Sequence, residues 1–138
     1  MREIKNIVLH CTAGPQTQTV QAILGYWKNS LGWKSPGYHY LIKADGEAVN
    51  LLDISKPSNG VAGHNAHSVH ISYIGGVDKN GKPVDNRTPA QIATQIKLLK
   101  AFKIQFPKAV IKGHRDFPNV QKACPSFDVA TWLKSVGL

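Results

Sequence analysis

The sequence predicts an α/β fold, a mixed central β-sheet flanked by helices, and three observations carry the prediction. Short apolar runs of strand length alternate along the chain with stripes of helical period. Asp45-Gly46 joins two consecutive strand-like runs, so one antiparallel hairpin is inserted among strands linked by crossovers. The first run, Ile7-Val8-Leu9, is continuously apolar, as a central strand covered on both faces should be. A length of 138 residues suits a single domain spanning 1–138, and 42% apolar residues are enough for its core.

In chain order, residues 5–12 read as a strand that delivers His10 to its C-terminal end, the end at which open α/β sheets bind ligands. Ala13-Gly14-Pro15 breaks it. Val20, Ile23, Leu24, Trp27 and Leu31 then follow helical spacing, capped by Thr17 or Thr19 and ended by Gly32. Residues 37–43 form a second strand, with Tyr38 and Tyr40 on one face and His39 on the other. Residues 48–52 return from the Asp-Gly turn. Residues 53–68, with Pro57, Gly60, Gly63, His64 and His67, read as a long irregular loop, a kind that is often functional.

Residues 69–74 are the next strand, followed by a polar turn at 78–82. Thr88-Pro89-Ala90-Gln91 opens a helix with a threonine cap, proline at the first position and glutamine closing a capping box. Its core stripe is read as Ile92, Ile96, Leu99 and Phe102, and Pro107 stops it. Residues 109–111 are a short buried strand that leads to His114. Ser126 is read as the cap of a last helix whose Val129, Trp132, Leu133 and Val136 face the core.

Seventeen basic against eight acidic residues give a formal charge of +9. That favours a polyanionic partner: nucleic acid, an acidic membrane surface or an anionic cell wall. The basic residues are scattered and form no nucleic-acid motif, so no specific nucleic-acid partner is expected. No apolar run has membrane-spanning length, and membrane insertion is not expected. The first six residues lack the apolar core of a secretion signal, so the expectation is cytoplasmic synthesis without a signal peptide. A disulfide between Cys11 and Cys124 is not expected in such a product. Strand alternation turns Cys11 away from His10, where it reads as a small buried apolar residue.

The chemistry centres on Gly113-His114-Arg115-Asp116 and Lys122-Ala123-Cys124-Pro125-Ser126-Phe127-Asp128. His10 and His114 both end strands and so meet at one edge of the sheet. With Cys124 they make two imidazoles and one thiolate, a zinc triplet whose fourth position stays open, as in catalytic sites. A blue-copper site needs a weak axial ligand, usually methionine, and the only methionine is Met1. A hydrolase with Cys124 as nucleophile leaves the second histidine without a role.

These motifs, together with residues 7–12, Gly37-Tyr38-His39-Tyr40, Lys43-Ala44-Asp45-Gly46, residues 68–78 and Thr88-Pro89-Ala90-Gln91, run over nearly the whole chain. In them the chain resembles the zinc-dependent N-acetylmuramoyl-L-alanine amidases of type 2, which share their fold with peptidoglycan recognition proteins, and most of all their compact phage lysozymes. The resemblance implies one Zn²⁺ held by His10, His114 and Cys124, with Tyr38 and Lys122 as catalytic residues and His64 as a substrate contact. It implies hydrolysis of the amide between the lactyl group of N-acetylmuramic acid and L-alanine, peptidoglycan as the partner of a monomeric chain, and action on the cell wall after release from the cytoplasm. A phage or prophage endolysin is the reading preferred. The alternatives are a peptidoglycan-binding module without catalysis and an interbacterial amidase toxin. Two departures stand out: the loop around His64 is shortened, and His70 occupies a position where the family usually has glycine.

Overall fold

A computed structural model describes residues 2–138. Five strands form one sheet: β1 (Asn6–Cys11), β2 (Tyr40–Ile42), β3 (Ala48–Asn50), β4 (Ser68–Tyr73) and β5 (Val110–Gly113), in the order β3-β2-β4-β1-β5. The β2, β4, β1 and β5 ladders are parallel, and only β3 runs antiparallel, beside β2. The hairpin between β2 and β3 turns where Asp-Gly predicts it. Gly46 takes φ +90°, and the Asp45 carboxylate accepts the Glu47 N–H at 2.9 Å.

Three α-helices cover the sheet: α1 (Val20–Gly25), α2 (Pro89–Gln105) and α3 (Val129–Ser135). The helix expected through Leu31 changes its winding at Tyr26: Tyr26–Ser30 is a π-helical turn closed by the Leu31 N–H on the Tyr26 carbonyl at 3.1 Å. Thr19, not Thr17, caps α1.

Alternation along the strands sorts the two faces. Ile7, Leu9 and Cys11 of β1, Val69, Ile71 and Tyr73 of β4, and Ile42 of β2 pack against Leu99 and Phe102 of α2 and against Val129, Trp132 and Leu133 of α3. The opposite face is divided. Leu41 and Ile74 pack with Ile23 and Trp27 from the α1 side, and Val8 packs with Val61 and Phe117. Between these clusters the same face carries the buried polar side chains His10, His39, His70 and Ser72, roofed by the loop of residues 53–67.

Four expectations are corrected. The stripe that α2 buries most deeply is Gln91, Gln95, Leu99 and Phe102, while Ile92 and Ile96 are half-buried. Gln91 is tolerated there because its amide donates to the Ile42 and Ile74 carbonyls at 3.2 and 3.0 Å, at the ends of β2 and β4. Its oxygen accepts the Thr88 N–H at 3.0 Å, completing the expected capping box. Asp128, not Ser126, caps α3, through the Thr131 N–H at 3.2 Å; Ser126 sits at φ +69° and donates instead to the Gly76 carbonyl at 2.9 Å. β5 is an edge strand with Val110 57% exposed, not a buried one. Finally, Tyr38 and Tyr40 do not share a face. Tyr38 precedes β2 and packs with the α1-side cluster, whereas Tyr40 packs edge-on against Phe102 at 5.8 Å.

Candidate functional site

His10 reaches the site as the penultimate residue of central strand β1, with only 1% of its surface exposed. His114 follows edge strand β5 and starts a single 3₁₀ turn, His114–Asp116, that Asp116 closes by accepting the Gly113 N–H at 2.8 Å. β1 and β5 are adjacent parallel strands, so their C-terminal ends bring the two imidazoles together, with ring centroids 4.8 Å apart. Cys124 comes from the segment after β5. Its carbonyl accepts the Arg115 N–H at 2.9 Å, and the Tyr73 hydroxyl donates to the Pro125 carbonyl at 2.7 Å. These bonds clamp the cysteine segment to the sheet beneath it.

One donor atom from each of His10, His114 and Cys124 falls within 4.8 Å of the others. His10 Nδ1 is 3.9 Å from Cys124 Sγ. Tetrahedral zinc with ordinary Zn–N and Zn–S bonds holds such atoms about 3.6 Å apart, so the donor set fits the metal in kind and in spacing. The Cys11 backbone N–H donates to Cys124 Sγ at 3.1 Å, which favours a thiolate there. Against that, the adjacent Cys11 thiol and burial hold the Cys124 thiol above its ordinary pKa, and a cation bound beside it would act in the opposite direction. Burial, with Lys122 adding, keeps His114 neutral by lowering its pKa to about 4. His10 is lowered well below the usual histidine value by burial first and then by the neighbouring His70, His114 and Lys122. Neutral imidazoles are what a metal needs. Cys11 is buried as expected, but it also borders the cluster through its backbone and thiol.

The triplet lies in a cleft of about 420 Å³ that Tyr38, Trp27, Trp33, Asn59, Gly60 and Lys122 help to line. Tyr38 packs against the His10 ring at 5.0 Å and donates its hydroxyl to the Cys11 carbonyl at 3.3 Å. Burial, reinforced by the nearby Cys124, raises its phenol pKa, so it is a proton-bearing donor. Lys122 is exposed, and its ammonium makes no hydrogen bond or ion pair among the described residues. Trp27 stands edge-on to Tyr38 at 5.2 Å and stacks on Trp33 at 6.2 Å, so it is at once core and cleft wall. A second groove of about 680 Å³ continues past His114 and Lys122 to His64, whose ring rests on Phe117 at 4.7 Å. All six candidate residues thus face one continuous depression. His64 stands at its far rim, outside the metal cluster.

The sequence reading missed a layer behind His10. His10 Nε2 is 2.8 Å from His70 Nδ1, and His70 Nε2 is 2.8 Å from Asn65 Oδ1. The signal for it lies in β4, where Ser68, His70 and Ser72 alternate with Val69, Ile71 and Tyr73 in a strand buried throughout. Such alternation marks a polar face that must be satisfied inside the protein. Burial holds His70 at a pKa of about 3 and His39 at about 4.

Comparison with known proteins agrees with this geometry. The profile of the family described as N-acetylmuramoyl-L-alanine amidase matches residues 1–127. The endolysin of Klebsiella phage KP32 is 36% identical over 132 residues, 95% of this chain and 86% of its own length. The endolysin of Escherichia phage T7 is 34% identical over 127 residues, covering 91% and 83% respectively. Among solved structures, the Ph2119 endolysin from a Thermus scotoductus bacteriophage superposes with a TM-score of 0.83 at 27% identity, over 99% of this chain and 86% of that one. The amidase LysC from Clostridium intestinale, at 23% identity and a TM-score of 0.81 over 99% and 87%, has the same fold. With a matching profile over nearly the whole chain and phage endolysins as relatives, the protein belongs to the N-acetylmuramoyl-L-alanine amidase family and is a peptidoglycan amidase of the endolysin kind.

Proposed function

We propose that the chain works as a one-zinc amidase, residues 1–138 forming one catalytic domain, with His10, His114 and Cys124 as the metal ligands. The observation that carries the reading is the convergence of three donor atoms within 4.8 Å on the floor of an open cleft. Bound zinc supplies Lewis acidity toward the amide carbonyl and toward the attacking water. The chain's own groups do the rest. Lys122, without a hydrogen-bond or ion-pair partner among the described residues and beside the triplet, presents a cation to the oxygen that gains charge as the carbonyl becomes tetrahedral. Tyr38 brings a neutral hydroxyl that turns from the Cys11 carbonyl to the same oxygen. Trp27 and Trp33 wall the cleft and exclude water on the α1 side. His64 and Asn59 line the extended groove, where they contact glycan or stem peptide. The scissile bond is the lactyl–L-alanine amide, and the setting is lysis of a phage-infected cell, in which the enzyme acts on the wall as a monomer once released.

Metal analysis and digestion of purified peptidoglycan test this together. The expected results are one zinc per chain and free stem peptides with intact glycan strands by mass spectrometry. Lys122→Ala is expected to keep its zinc and lose on the order of 10²–10³-fold in kcat, the scale of one lost oxyanion donor. Tyr38→Phe should behave alike. Two metal-loaded variants with normal turnover would remove both residues from the mechanism, and full zinc in His10→Ala, His114→Ala and Cys124→Ala would end the metal assignment.

A further inference from the structure

His10 has two ring nitrogens, and only one can serve a metal in the site. Nδ1 faces Cys124, and Nε2 faces His70. Which nitrogen carries the proton is decided two residues further back. The Val61 backbone N–H, a donor only, approaches Asn65 Oδ1 at 2.8 Å, which identifies that atom of the amide as its oxygen. His70 Nε2 lies 2.8 Å from the same oxygen, so it must carry a hydrogen. His70 is fully buried, and its side-chain partners are Asn65 and His10, with no carboxylate among them. A doubly protonated ring is therefore disfavoured, and Nδ1 is bare. The 2.8 Å contact between His70 Nδ1 and His10 Nε2 then needs the hydrogen on His10. That leaves His10 Nδ1 with its lone pair directed at the cluster.

The relay is held rigidly. His39 stacks on the His70 ring, centroids 6.0 Å apart and planes within 9°. The orientation of His39 is fixed too: its Nδ1 accepts the His70 backbone N–H at 3.0 Å, so its Nε2–H donates to the Lys56 carbonyl at 2.7 Å. Gly60 backs the His70 ring so closely that a Cβ there would overlap it. Nothing in Lys122, Tyr38 or the cleft walls performs this task.

We propose that His70, held by Asn65, is the positioning residue that fixes His10 with its proton on Nε2 and its Nδ1 free to bind metal. The proposal rests on the zinc reading above. It gives His70 of β4, and His39 stacked on it just before β2, a role in metal affinity, not in contact with substrate.

The test has two readouts, neither of them catalytic. Long-range ¹H–¹⁵N NMR of the zinc-loaded protein should find His70 protonated on Nε2 with a bare Nδ1, and His10 protonated on Nε2 with Nδ1 bound to metal. Zinc dissociation constants by chelator competition should weaken about 10–100-fold in His70→Leu, the usual cost of losing an outer partner of a metal histidine. His70→Gln, whose side-chain oxygen can still accept from His10, should recover most of that loss, and Asn65→Asp should bind more tightly than Asn65→Leu. A His70 proton on Nδ1, a His10 bound through Nε2, wild-type affinity in His70→Leu, or a Gln variant as weak as the Leu variant would each overturn the proposal. If His70→Leu does not fold, the wild-type protonation pattern and the Asn65 pair still decide it. A wild-type chain that takes up no zinc would refute the metal reading itself, an outcome distinct from loss confined to the variants.

Discussion

Acid should unfold this protein earlier than its surface charge alone would dictate, because two neutral imidazoles are sealed in the sheet. His39 and His70 are fully buried, with pKa values lowered to about 4 and about 3 by burial. In the unfolded chain each returns to about 6.5. Between these limits the unfolded state binds more protons than the folded one, so stability falls as pH falls. The loss begins near the unfolded value and continues until the folded rings themselves charge. From pH 7 to pH 5 each ring forfeits about 2 kcal/mol, or about 3–4 kcal/mol for the pair. The thermal midpoint should drop by about 10 °C for a chain of this size. His10 acts in the same direction. The assay is denaturant unfolding of chelator-stripped protein across that range, with NMR titration of the histidine ring protons. Flat stability between pH 7 and 5, or His39 and His70 titrating near 6.5 in the folded protein, would refute the reasoning.

Gly60→Ala should destabilise the protein by about 1–3 kcal/mol, measured by denaturant unfolding, because the added Cβ overlaps the His70 ring and one of them must move. Gln91→Leu should cost about 2–4 kcal/mol in the same assay, since the buried Ile74 carbonyl and the Thr88 N–H lose their partner. Hydrolysis of whole walls should fall with added salt more than hydrolysis of a small soluble muropeptide, since a charge of +9 acts over a Debye length of about 8 Å at physiological ionic strength; equal slopes would deny the basic surface a role in wall binding.

The clustering of His10, His114 and Cys124 was legible because these residues are chemically distinctive and two of them end strands. The start of α2 was legible because capping is local: Thr88, Pro89 and Gln91 lie within a single turn. Its buried face was not. Gln91 and Gln95 read as polar by residue type, and only the carbonyls of Ile42 and Ile74 at the ends of β2 and β4 make the buried Gln91 amide favourable. Ser126 and Asp128 are both good caps in isolation. The choice fell to Asp128 because Ser126 is drawn to the Gly76 carbonyl, a partner 50 residues away. His70 stayed hidden for a similar reason. Its role depends on the parallel register that sets Val8 opposite it and His10 opposite Ser72, and no local pattern fixes that register.

The same register governs when activity can arise. β1 is laid down first, yet both its neighbours, β4 and β5, are made much later. Its histidine meets Cys124 only across 114 positions of chain. A nascent polypeptide that has emerged as far as the hairpin therefore holds one of the three donor residues and none of the parallel pairings that β1 requires. Such distant pairings must pay loop closure before any contact rewards it, which makes folding slow and late. The His10, His114 and Cys124 donors are consequently brought together only after the last of them has been made and its segment has docked against Tyr73.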